Sequence, residues 1–424
     1  MRKTQQTHHS TSPKQLRAGS AVLLAIPLFC LLFATSSAQA QTYKVLYRFT
    51  GNRYTSGPIA GVIVDSAGNI YGTTQGGGSF NVGAVFRIDP QGKETVLHNF
   101  WGGDGIYPNT RLIPSKDGSF YGTTDQGGAP KGGACTHGCG TVFRLDSNGK
   151  LTVLYVFKGG SDGREPSGLT RDQQGKFYGT TSIGGNLNCD NYNPGCGVVF
   201  ELKKTGEENA LFTFDLTDGT YPEGLIRDDA GNLYGVASGG VNNYGVVYKV
   251  DPTGHETVLY NFTDGTDGGV PEGPLLRDAA GNLYGETVFG GNLTACGGGQ
   301  YKGCGVVFKL DSASNETVLY TFTGQADGAY PNGGLTQDSV GNFYGATGDV
   351  IDGCGVNCGT IFKLDPSGHE TVLHTFSGGR GGMNPFGGVT IDASGNLYGT
   401  TFQGGDLSCG YRGYGCGLVF KLSP

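Results

Sequence analysis

The sequence predicts an all-β fold, a seven-bladed β-propeller with four antiparallel strands per blade. Three observations predict it. A unit of about 54 residues recurs seven times, and each copy holds four short strand-like runs. The first and last copies are incomplete in complementary ways, so the N-terminal strand is expected to join the last blade and close the ring.

The repeat is anchored by Gly-Asn-Ile-Tyr-Gly-Thr-Thr at 68–74, which returns in related form at 118–124, 175–181, 231–237, 281–287, 341–347 and 395–401. This run is the second strand, B. Strand A precedes it as Gly-Leu-Ile-Arg-Asp (224–228). Strand C reads Val-Phe-Lys-Leu-Asp (307–311), and strand D reads Thr-Val-Leu-Tyr-x-Phe (317–322). All are short, rich in β-branched and aromatic residues, and bounded by Gly, Asp or Pro. Asp-x-x-Gly-Asn joins A to B and Asp-Pro-x-Gly joins C to D, both tight-turn sequences with Gly where a positive φ is needed. The region after residue 40 begins with a D strand (43–49) that has no A, B or C before it. The chain finishes on an A, B and C (388–392, 396–401, 418–422) that lack a D. A closed ring uses both fragments and leaves no open sheet edge.

Composition agrees. Gly 80 of 424 residues, without a Gly-X-Y period, excludes collagen, and 11% aromatic residues argue against a disordered glycine-rich chain. Residues 1–40 read as a signal peptide: Arg2, Lys3, Lys14 and Arg17 without an acid, then an apolar run over 21–33 too short to span a bilayer, then Ala38-Gln39-Ala40. Residues 41–424 are expected to form the single propeller domain. The formal charge of −7 becomes −11 once four basic residues leave with the signal, a surface that repels phosphate backbones. The expectations are therefore a secreted or periplasmic monomer, no nucleic-acid partner, no membrane contact after signal cleavage and no cofactor.

The motifs GNLYGTT, CGVVFKLD, ETVLY and DG-x-YP-x-GGL resemble the GloVer tandem-repeat family of exported bacterial proteins, over essentially all of 43–424. The resemblance implies export and repetition. Members of that family carry varied C-terminal anchors, and no such tail follows Leu422 here. It implies no activity and no catalytic residue.

Ten cysteines follow residue 40. They fall in pairs between strands B and C: Cys135–Cys139, Cys189–Cys196, Cys296–Cys304, Cys354–Cys358 and Cys409–Cys416. The first and fourth repeats lack both members, with Val82 and Tyr244 in the second position, and loss in pairs argues for bonding in pairs. Zinc is the rival reading, but each loop offers two thiols where a structural site takes four ligands.

Strand order puts the short A–B and C–D turns on one face and the longer B–C and D–A links on the other. Binding residues are expected on the second, variable face. There Asp104, Asp162, Asp218, Asp267 and Asp327 recur before Gly, while Arg380 and the 51–53 link break the series. These carboxylates would either ring a cation or a sugar, or simply shape their turns. Glu286 departs from the Tyr-Gly-Thr-Thr pattern as Tyr-Gly-Glu-Thr, which makes it a candidate general acid or base, with Asp125 and Asp349 as weaker versions. His137, between Cys135 and Cys139, is the one histidine outside the repeat logic. Two functions stand against each other. One is an exported, non-catalytic scaffold for an extracellular glycan or protein; the other is an extracytoplasmic carbohydrate lyase or hydrolase, which rests on fold analogy.

Overall fold

The computed structural model describes residues 41–51, 55–128, 135–189, 195–297, 301–348, 358–409 and 413–424. The expected signal peptide, Arg53, Asp349 and Cys354 lie outside the described residues. The described strands form seven four-stranded antiparallel blades in a ring. Blade 3 shows the pattern most fully: A is Arg164–Arg171, B is Phe177–Ile183, C is Val198–Leu202 and D is Glu208–Thr213, paired in that order. Blades 4 and 5 have similarly long A strands, Thr220–Arg227 and Gly269–Arg277. In blades 2 and 6 strand A is broken into two short pieces. Blade 7 is composite, because Thr42–Arg48 pairs antiparallel with Leu418–Ser423 as its D strand.

The local sequence explains each element. In the A–B turns Asp65, Asp228, Asp278, Asp338 and Asp392 accept both the backbone and the side-chain N–H of the Asn four residues on. The same carboxylates accept the hydroxyl of the strand-B Tyr at 3.0–3.1 Å. The motif Asp-x-x-Gly-Asn-x-Tyr is thus one hydrogen-bonded unit. The glycine after that Tyr has a different cause. A Cβ on Gly72, Gly122, Gly285 or Gly399 would lie 2.5–2.7 Å from the ring of the strand-C Phe on the neighbouring strand, so only glycine lets the ring lie flat there.

Those Phe rings form the core between blades. The last residue of each D run (Phe49, Phe100, Phe157, Phe214, Phe262, Phe322, Phe376) is fully buried. Each meets the strand-C aromatic of the next blade edge to face at 4.9–5.4 Å. Such pairs contribute about 0.5–1.5 kcal/mol each beyond area burial.

A second contact recurs at all seven junctions. The residue before the strand-A Pro (Gly57, Tyr107, Glu165, Tyr221, Val270, Tyr330, Asn384) has φ between 51° and 63°. Its N–H donates at 2.7–3.2 Å to the carbonyl that precedes strand C of the blade before it, on Cys416, Val82, Cys139, Cys196, Tyr244, Cys304 and Cys358 in turn. The following Pro packs on the glycine after that carbonyl. A Cβ there would stand 2.2–2.7 Å from the Pro Cδ in every copy. The carbonyl of the same glycine accepts the N–H of the buried Phe at the end of strand D.

The disulfides Cys135–Cys139, Cys189–Cys196, Cys296–Cys304 and Cys409–Cys416 are formed, each within its own B–C link. Closing loops this short stabilises by roughly 2–2.5 kcal/mol each in the chain-entropy model. Cys358 is disulfide-bonded as well.

Blade 4 has Tyr248 where the other six blades have Phe in strand C. Its hydroxyl is buried without a hydrogen-bond partner, and burial pushes its pKa far up. Tyr248→Phe is therefore expected to stabilise the protein by about 1–2 kcal/mol, read as a rise in the chemical-denaturation midpoint. An unchanged or lower midpoint would show that the hydroxyl is satisfied in solution. Peptide mapping of residues 41–424 is expected to find only within-loop disulfides and no free thiol.

Candidate functional site: the loop face and the channel it opens into

The B–C and D–A links share one face, where they bond directly to one another. Gly128, Gly185, Gly291 and Gly405 each donate an N–H to a D–A carbonyl (Gly102, Gly160, Gly265 and Gly379) at 2.8–3.0 Å. Short strands alternating with glycine-rich turns thus present a set of stiff loops on a rigid ring.

The five repeated aspartates are used within their own links. Asp162 accepts the Tyr155 hydroxyl at 2.9 Å and the Lys158 and Gly160 N–H groups. Asp267 and Asp327 repeat this with Tyr260 and Tyr320, and with the N–H and hydroxyl of Thr263 and Thr323. Asp218 accepts the Asp215 N–H at 2.7 Å, and burial pushes its carboxyl up to about 6. Asp104 accepts the Trp101 N–H and pairs with His98 at 2.7 Å. Among the described residues no group of three or more His, Cys, Asp or Glu is arranged to hold a metal ion.

These aspartates also meet an acid from the next blade. Burial and Asp162 push Glu208 up to about 7. Burial, with Asp267 and Asp327 respectively, does the same to Glu316 and Glu370, while Asp218 and Asp215 act on Glu256. Blade 3's Glu208 position is Leu151 in blade 2 and Tyr43 in the composite blade 7. At both junctions the strand-D aromatic is a histidine. His98 bonds Asp104, and His374 stacks on Tyr43 with ring centroids 3.8 Å apart.

Glu286 is 1% exposed, on strand B between blades 5 and 6. One carboxyl oxygen accepts the Gly334 N–H at 3.1 Å, and the other has no partner. Burial pushes it up to about 8, so at neutral pH it holds its proton. Asp125 is raised to about 6 by burial and the charge of Glu165. His137 is exposed, and its carbonyl accepts the Gly127 N–H. The structure does not bring Glu286, the aspartates and His137 together.

Two features escaped the sequence reading. First, among the described residues eight large apolar side chains are exposed, and seven stand on this one face: Phe80, Leu187, Val241, Leu293 and Leu407 in B–C links, Trp101 and Leu216 in D–A links. Four of them (Phe80, Leu187, Leu293, Leu407) occupy the same place, two residues after a Gly-Gly, so alignment of the repeats carried the signal. Second, the seven innermost strands line an axial cavity of about 690 Å³. Glu223 and Glu272, each following the strand-A Pro, stand in its wall together with Arg111, which replaces the Gly or Pro of the other copies. Burial pushes Glu223 up against the opposing effect of the Gly273 N–H; burial and then the charge of Glu223 push Glu272 up. Their signal was a charge within the run that follows the strand-A Pro, an acid directly after it in two copies and Arg111 before the Leu in a third.

Residues 31–192 and 189–412 match the profile of the Gloeobacter/Verrucomicrobia repeat. No curated protein matches the chain. Among solved structures it is similar to virginiamycin B lyase from Staphylococcus aureus, with a TM-score of 0.56 and 14% identity over 91% of this chain and 99% of that one. It is also similar to the extracellular domain of a protein described as a hybrid two-component system from B. thetaiotaomicron. There the TM-score is 0.54 and the identity 12%, over 90% of this chain and 41% of that one. At such identities the likeness shows the fold alone.

The acid groups fix the sign of the pH dependence. Glu208, Glu256, Glu286, Glu316 and Glu370 are raised, so the folded state holds their protons more tightly than the unfolded chain does. Their contribution is complete below about pH 4.5 and is lost as pH rises through about 7–8. The turn acids Asp65, Asp228, Asp278, Asp338 and Asp392 are lowered, chiefly by hydrogen bonds that outweigh burial, and they lose their contribution below about pH 4. The melting temperature is therefore expected to peak near pH 5 and to fall between pH 6 and 8. Glu286→Gln should flatten part of that fall, and a Tm that rises from pH 5 to 8 would contradict the assignment.

Proposed function

We propose that this chain, which belongs to the Gloeobacter/Verrucomicrobia repeat family, is an exported, non-catalytic scaffold that binds an extracytoplasmic protein through its loop face. The observation that carries this reading is the concentration of exposed large apolar side chains on that face, set on loops pinned by disulfides. Leu and Val predominate over aromatic rings, which suits a protein surface better than stacked sugar rings. The same face carries Asp162, Asp215, Asp218, Asp264, Asp267 and Asp406, so a partner with a basic rim fits it and a second copy of the chain does not. Disulfide-braced loops support an oxidising compartment, and no helix of the described residues is long and apolar enough to cross a membrane.

The test pairs the wild-type secreted chain with Phe80→Ser/Leu187→Ser/Leu293→Ser/Leu407→Ser. Cross-linking on intact cells identifies bound proteins, a glycan array and a polysaccharide-turnover panel run beside it, and identified partners are remeasured in purified form. The substituted chain is expected to keep its melting temperature, because these positions are exposed, and to bind its partner at least tenfold more weakly. Glycan binding that survives the substitutions would overturn the reading. So would polysaccharide turnover abolished by Glu286→Gln, which would make the protein an enzyme.

A further inference from the structure

Blades 3, 4 and 5 share an arginine that blade 2 replaces. Their A strands end on Arg171, Arg227 and Arg277, paired across the strands with Phe177, Leu233 and Leu283. Each guanidinium lies over the strand-B tyrosine of the preceding blade, 4.8 Å from the Tyr121 centroid, 5.5 Å from Tyr178 and 5.6 Å from Tyr234. Two of them also reach the first residue of that blade's A–B turn. Arg171 donates to the Ser115 hydroxyl at 3.2 Å, and Arg277 lies 4.0 Å from the Asp228 carboxylate. In blade 2 the same register position, opposite Phe120, is Pro114. The groove between blades 1 and 2 opens there into a cavity of about 390 Å³. Its wall contains Asp65, Tyr71, Phe120 and Pro114, which match Ser115, Tyr121, Phe177 and Arg171 one junction further on. Tyr71 and Phe120 have centroids 4.7 Å apart, the spacing of Tyr121 and Phe177. Asp65, Tyr71 and Phe120 are all half-buried, so their side chains remain within reach of solvent. Asp65 bonds Asn69 and Tyr71 as Asp228 bonds Asn232 and Tyr234, and Asp228 meets Arg277 with those bonds in place.

We propose that this cavity, on the short-turn face, is a binding site for an alkylguanidinium supplied from outside the chain, stacked on Tyr71 and Phe120 and paired with Asp65. The group is that of an arginine side chain, and three other junctions of the same ring hold it on the same kind of surface. A guanidinium is planar and weakly hydrated, so it stacks on aromatic faces while its N–H groups donate to a carboxylate. Its methylenes have the side chains of Val64 and Leu97 to lie against. Arg87 stands in the same wall and bonds the Tyr71 hydroxyl. It does not preclude a second guanidinium, because Arg144 bonds the Tyr121 hydroxyl in the same way while Arg171 lies over that ring. The site lies on the opposite face from the exposed apolar loops, so it stands or falls independently of the function proposed for them.

The probes are N-acetyl-arginine amide, free L-arginine, N-acetyl-lysine amide and acetate at fixed ionic strength, with residues 41–424 followed by thermal shift and calorimetry. Capped arginine is expected to raise the melting temperature saturably, with one site per chain. Capped lysine should bind at least fivefold more weakly, and acetate should not bind. Pro114→Arg should raise the melting temperature by itself and abolish the response, because the chain then fills the cavity as Arg171 fills its own junction. Asp65→Asn should weaken binding at least tenfold, while Asp338→Asn, the same change in the blade 6 turn, should leave it intact. If Asp65→Asn fails to fold, Pro114→Arg decides. Capped arginine binding at least as tightly as the free form assigns the site to an arginine within a polypeptide, and the reverse order assigns it to the amino acid itself. Several results would overturn the site: no saturable response to either form of arginine, equal binding of capped lysine, or arginine binding that survives Pro114→Arg. Acetate binding that disappears in Arg87→Gln would do so too, since it would make the cavity an anion site.

Discussion

Every junction in the ring depends on one backbone carbonyl, the one just before strand C. It accepts an N–H from the next blade, and the glycine that follows it seats the next blade's Pro while bonding the buried Phe of strand D. Three contacts that fix the angle between blades therefore converge on two residues. The arrangement carries a cost, since six non-glycine residues adopt φ near +55° immediately before proline. Strain of this kind runs about 1–3 kcal/mol per residue and persists only where surrounding structure over-determines it. Seven repeats of the same lock, each backed by an edge-to-face aromatic pair, supply that surrounding structure.

The disulfides are subordinate to this lock. In five blades the accepting carbonyl belongs to the second cysteine of the loop, so the bridge holds the carbonyl from outside. In blades 1 and 4 Val82 and Tyr244 accept the same bond without it. The bridges stiffen long B–C links, which is where the loop face takes its shape, while the ring itself closes by hydrogen bonds and packing. The closing junction obeys the same rule: Gly57 bonds the Cys416 carbonyl and Pro58 packs on Gly417.

Two belts of acid result from this geometry. On the outside, a D–A aspartate and a strand-D glutamate from the next blade are brought close, and where the glutamate is Leu151 or Tyr43 a histidine replaces the tyrosine. On the inside, the strands approach so tightly that a Cβ on Gly61, Gly224 or Gly387 would collide with the backbone of a neighbouring blade. Side chains of neighbouring blades therefore meet near the axis, where burial and then the charge of Glu223 push Glu272 up.

The sequence alone determined the blade count, the strand order, the composite seventh blade and the pairing of the four disulfides among the described residues, because these are properties of a repeat and repetition is visible in one dimension. It also separated the uniform face from the variable one, since loop length follows strand order. Turn aspartates such as Asp162 and Asp267 were legible as turn formers, because an Asp beside Gly bonds its own backbone whatever surrounds it. Only the tertiary structure decided what lies where copies meet. Glu286 was visible as a departure from its repeat, yet its burial against Gly334 depends on blade 6, and Gly334 lies 48 residues further along the chain. Glu223, Glu272 and Arg111 fall in three different copies, and nothing along the chain relates them. They share a channel because seven blades close on one axis, and a distance across a ring is set by its closure rather than by any single repeat.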